Sequence, residues 1–80
     1  MTRAPGRKLF DDVAAATGLA LVIGPGAVQR ALAGVGVTVV DQATVEDYRR
    51  ALPELKTRMA FYLAKADLEH HLAELEALLS

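Results

Sequence analysis

The pattern that most restricts this chain is a pair of apolar seams in its second half. Val45, Tyr48, Leu52, Leu55, Met59 and Tyr62 follow one another at intervals of 3, 4, 3, 4 and 3 residues. Leu68, Leu72, Leu75 and Leu79 follow at 4, 3 and 4. Such spacing lines one side of a helix and leaves the other to solvent. On a second face Glu46, Arg50, Glu54 and Arg58 alternate in sign every four residues, which suits an exposed helix surface. Two seams joined by Ala64-Lys65-Ala66 predict an antiparallel helix pair, each member too short for a free coiled coil.

Thr44-Val45-Glu46-Asp47 reads as a capping box opening the first of these helices, and Asp41 is a second N-cap candidate. Pro53 falls inside the run without disturbing its phase. An interior proline costs a helix ~3 kcal/mol and disfavours α geometry in the residue before it. The expectation is one kinked helix over 44–63, or two abutting helices that meet at Pro53. The last helix is expected over 66–79.

Earlier in the chain, Phe10, Val13, Ala14 and Thr17 share one face of a helix predicted over Lys8–Thr17, with Gly18 as its C′ residue. Residues 1–7 contain Pro5 and Gly6 and read as a flexible basic arm. A second helix is expected over Gly26–Ala33, with Pro25 at its start and Val28 and Leu32 facing inward. Val35–Val40 is β-branched and suits a short strand or a buried extended segment. The domain reading is an arm at 1–7 and a single all-α domain at 8–80, built of four to five short helices.

Size and composition narrow the function classes. An 80-residue chain without cysteine has neither a disulfide nor a thiolate metal site to reinforce its core. Its residues are 52 % hydrophobic and only 5 % aromatic, so the core must be aliphatic, and part of that apolar supply is expected to face a partner. A net charge of −1 argues against a general nucleic-acid binder. The longest apolar run near the N-terminus, Leu19–Ile23, is too short for a signal sequence or a membrane span, so a cytoplasmic protein without membrane contact is expected.

Three turns and connections carry resemblances. Gly24-Pro25-Gly26-Ala27-Val28-Gln29, with Asp41 further on, resembles the glycine fingerprint of dinucleotide-binding Rossmann folds. That resemblance implies a pyrophosphate at the glycines and a ribose at Asp41. Gln29 stands where the third glycine belongs, and no further strand follows Asp41. Gly34-Val35-Gly36 is similar to the turn of helix-hairpin-helix DNA binders, which implies phosphate contact through backbone N–H groups. Thr38-Val39-Val40 delays the helix that should follow at once. The order short helix, apolar connection, long helix, final helix is loosely similar to a histone fold, which implies an obligate dimer. A nucleotide- or nucleic-acid-binding element at Gly24–Gly26 or Gly34–Gly36 is therefore the alternative function.

No catalytic pairing stands out, so no enzyme activity and no cofactor are expected. His70 and His71 are the only histidines. Asp67 lies four residues before His71 and Glu74 four after His70, but adjacent helical positions point ~100° apart, so they read as exposed polar residues and no metal is expected. The favoured function is a non-enzymatic protein-interaction or self-association module, most simply a homodimer, that buries a leftover aliphatic stripe. The interface candidates are Leu75, Leu78 and Leu79 at the distal end of the last helix, with Arg3, Arg7 and Lys8 as the basic complement to Glu74 and Glu76.

Overall fold

The computed structural model describes residues 5–80, and among these it contains helices and turns but no strand. Helix α1 spans Pro5–Ala16, α2 Gly24–Ala33, α3 Val45–Ala60 and α4 Lys65–Leu78, with a single 3-10 turn at Val40–Gln42 before α3. The helical bundle read from the periodicity is the fold that forms. Helix α1 packs on α2 and on the 3-10 turn, α2 on α3, and α4 on both α1 and α3.

Each helix buries the face that its spacing marks. Phe10, Val13, Ala14 and Thr17 of the first face are all buried, as are Val28 and Leu32 of the second. The Thr17 hydroxyl donates to the Ala14 carbonyl at 2.6 Å and accepts from the Leu19 N–H at 3.2 Å, so this buried polar group is satisfied. The chain then turns at Gly18, whose φ of 72° favours a residue without Cβ. Gly24, the first residue of α2, sits so close to the Ala14 carbonyl and the Thr17 hydroxyl that a side chain there would crowd them.

Helix α3 begins as the capping motif predicts. The Asp47 N–H donates to the Thr44 hydroxyl at 3.2 Å, and the Thr44 N–H donates to the Asp47 carboxylate at 2.9 Å. The Thr44 backbone donor and the Arg50 side chain hold the Asp47 carboxyl below the usual aspartate range. The helix runs unbroken through Pro53, so the single-helix alternative is the one that forms. Tyr48, Ala51, Leu55 and Met59 are buried along it. Arg49 Nε donates to the Leu79 carbonyl at 2.8 Å, which ties the end of α4 to the beginning of α3 and makes the pair antiparallel.

Several sequence-based expectations shift, among them the start of α2, which lies at Gly24 and not Gly26. Helix α1 starts at Pro5, three residues before Lys8, so Gly6 and Arg7 of the proposed arm are helical; Met1–Ala4 lie outside the described residues. Arg7 Nε stands 3.5 Å from Asp11 one turn on, and its Nη1 3.9 Å from Asp41. Local ion pairing and the packing of α1 on the 3-10 turn favour helix there over a free arm. The Val35–Val40 segment forms no strand: Gly34–Gly36 is a turn and Val40 enters the 3-10 turn. Asp41 is thus part of that turn and not an N-cap. Helix α3 stops at Ala60 and not at Leu63, which decides the fate of the last residues of its seam.

Tyr48 offers a test of the core. It is 2 % exposed, and its hydroxyl has no hydrogen-bond partner among the described residues. Burial, and secondarily the Asp41 charge, push its phenol up to about 12 from the ordinary value of 10.0. The raised value means that its contribution to stability is complete below pH 10 and is lost as pH rises from there through about 12. Tyr48→Phe should abolish that part of the alkaline loss. It should also raise stability at neutral pH by about 1 kcal/mol, because an unpartnered buried hydroxyl is removed. Urea unfolding of both proteins between pH 7 and about pH 12 checks this; a variant less stable at neutral pH contradicts it.

Candidate functional site: a groove lined by aliphatic and aromatic residues and two arginines

The chain has four Phe and Tyr residues, and they divide evenly. Phe10 and Tyr48 are core. Phe61 and Tyr62 are both on the surface, 81 % and 59 % exposed, side by side at the end of α3. The seam would turn Tyr62 inward if the helix continued. Instead α3 closes with Phe61 as its C-cap, and the Tyr62 and Leu63 N–H groups both donate to the Met59 carbonyl, at 3.0 and 2.9 Å. This reversal puts Leu63 against the core and leaves the two aromatic rings outside.

A second chain reversal supplies the facing wall. Leu19–Ile23 forms a turn and not a strand. Ile23 and Gly24 donate to the Ala20 carbonyl, both at 2.8 Å, and the tight turn lifts Leu21 and Val22 out of the fold, each 91 % exposed. Val22, Ile23, Ala27 and Arg30 line one side of a groove of about 230 Å³, with Arg58, Phe61 and Tyr62 on the other. It is smaller than the ~300–1,000 Å³ usual for small-molecule sites and has room for one or two side chains.

Charge is arranged around this apolar surface. Arg58 stands 3.0 Å from Glu54, but its Nε is buried without a hydrogen-bond partner among the described residues. Arg30 has no ion pair among the described residues. Asp67 and Glu69, in the first turns of α4 just beyond the aromatic pair, have none either.

The interface candidates read from the sequence lie elsewhere. Leu75 and Leu79 are 0 % and 2 % exposed and belong to the monomer core, so they cannot meet a partner without unfolding the chain. The reason is that α4 packs on α1 as well as α3, which covers its distal stripe from two sides. Leu78 remains at the surface, 37 % exposed. Arg7 is engaged with Asp11 and Asp41 and lies 5.0 Å over the Phe10 ring, and Lys8 pairs with Asp12 at 2.8 Å. Arg3 is outside the described residues.

The resemblances lose their structural context. A Rossmann glycine turn needs a strand before it and after its helix, and Leu19–Ile23 and Val35–Val40 are turns and loop. The Gly34–Gly36 turn leads into extended chain and a 3-10 turn, not directly into a helix. No helix among the described residues is long and apolar enough to cross a membrane. No protein-family model, no curated protein and no solved structure matches this chain.

Proposed function

We propose that the protein is a non-enzymatic self-association module whose partner is a second copy of the same chain. The observation that carries this reading is the exposed set Val22, Phe61 and Tyr62 around one groove, with Leu21 exposed beside Val22 in the chain. Exposed aromatic side chains in a contiguous apolar patch are typical of interface centres. The occupant is argued from charge. One copy presents Arg30 in the groove wall, and the same chain carries Asp67 and Glu69 in the first turns of α4, all three without an ion pair among the described residues. A two-fold arrangement centred on Phe61 and Tyr62 brings each arginine toward the partner's acids and covers both patches at once.

Four apolar side chains are worth about 1.5–3 kcal/mol each on full burial, against an association cost of at least about 4 kcal/mol. The dimer is therefore expected to be weak, with a dissociation constant of about 10–100 µM. Sedimentation velocity from about 5 to 500 µM should show monomer converting to dimer. Phe61→Asp should leave the protein helical and monomeric throughout, since the side chain touches little of the core. Arg30→Glu should weaken the dimer about tenfold, and added salt should do so more gently. A wild-type chain that stays monomeric to the top concentration overturns the reading, as does a dimer indifferent to Phe61→Asp.

A further inference from the structure

Along α4, the exposed His70 and Glu74 and the half-buried His71 come together. His70 Nε2 lies 2.7 Å from Glu74 Oε1, and His71 Nδ1 lies 3.8 Å from the same oxygen. One ligand atom from each of the three falls within 4.8 Å of the other two. The two imidazole rings stand at 67° with centroids 5.1 Å apart. Adjacent helical positions diverge by ~100° at Cβ. Here both rings bend toward the carboxylate one turn on, because Glu74 is i+4 from His70 and i+3 from His71.

Two features set this trio apart from ordinary surface polarity. His71 Nδ1 is closed off from solvent and has no hydrogen-bond partner among the described residues, and it lies near the carboxylate at a distance too long to bond it. Its ring is also held from behind. The Nε2 edge of His71 lies against Gly18, so closely that a Cβ at that position would overlap the ring. Gly18 thus fits the ring against the α1–α2 turn and leaves Nδ1 on the Glu74 side.

We propose that His70 Nε2, His71 Nδ1 and a Glu74 carboxylate oxygen bind a divalent transition-metal ion, with zinc as the matching species. Zinc takes imidazole nitrogen and carboxylate oxygen at ~2.0–2.2 Å in tetrahedral array, which sets its ligands roughly 3.3 Å apart. The two separations to Glu74 Oε1, 2.7 and 3.8 Å, bracket that spacing, so small side-chain rotations admit the ion. The ion would satisfy the orphaned Nδ1 and leave a fourth position for water. Magnesium and calcium prefer oxygen-only shells and do not suit two imidazoles. All three ligands come from one chain, so the site stands apart from the proposed dimer.

Zinc titration of the full chain, by calorimetry and by competition with a chromophoric chelator, tests the assignment. The Phe61→Asp chain is titrated alongside, which separates this site from self-association. Both should bind one zinc per chain with a dissociation constant of about 10 µM, weaker than four-ligand structural sites. His70→Ala and Glu74→Gln alter exposed side chains and should each leave the helical spectrum intact while weakening zinc at least about tenfold. Zinc at a hundredfold excess over its dissociation constant should raise Tm by several degrees, and magnesium should not. No saturable zinc binding below about 1 mM overturns the proposal. So does binding that survives both substitutions, or a stoichiometry of one ion per two chains.

Discussion

Leu75→Asp is expected to leave the chain unfolded. Leu75 is wholly buried where α4 packs on α1 and α3. Truncating a core leucine alone costs about 2–5 kcal/mol, and an unpaired carboxylate in that place adds several more. A chain of this length has only ~4–12 kcal/mol of stability in all. Leu78→Asp, three residues on, is the control: that side chain is 37 % exposed and its variant should fold. Far-UV circular dichroism with a thermal scan separates the two. A cooperative melt of Leu75→Asp near the wild-type temperature would mean that α4 does not cover the core as described.

The second large effect has the opposite sign. Pro53→Ala should stabilise the protein by about 2 kcal/mol, raising Tm by roughly 8–16 °C for a domain of this size. Pro53 sits mid-way along α3 and is exposed, so no packing is lost with its ring. It supplies no N–H to the carbonyl of Arg49 one turn back, and an interior proline costs ~3 kcal/mol. Alanine returns about 0.4–1 kcal/mol of that gain through the greater freedom of the unfolded chain. Chemical denaturation of both proteins measures the difference. An unchanged or lowered stability would show that the backbone geometry proline imposes at position 53 is required to seat Leu52 and Leu55 together.

Persistence of helix across Pro53 also shows how far local pattern reaches. The phase of Val45, Tyr48, Leu52, Leu55 and Met59 was legible through the proline, because burial of a continuous apolar face outweighs one missing hydrogen bond. The same seam misplaced Tyr62. Periodicity marks the side a residue takes while the helix lasts, and it does not report where the helix ends. Reversal after Ala60 exchanged Tyr62 for Leu63 at the core, and so created the aromatic half of the groove. Leu21 and Val22 were obscured for a related reason. An apolar run reads as buried, yet the turn that closes onto the Ala20 carbonyl points them to solvent.

The amino-acid sequence by itself determined the helical class, the inward faces of the helices and the Thr44–Asp47 cap. These depend on interactions between residues three or four apart, which any chain carries with it. Only the tertiary structure decided which end of α4 is covered, which aromatic residues are left outside and that the His71 ring packs against Gly18. Those outcomes depend on which elements pack together. Helix phase already sets Leu75 and Leu79 on the seam and Leu78 off it, but the packing of α4 on both α1 and α3 is what makes the distal end of that seam core and not interface.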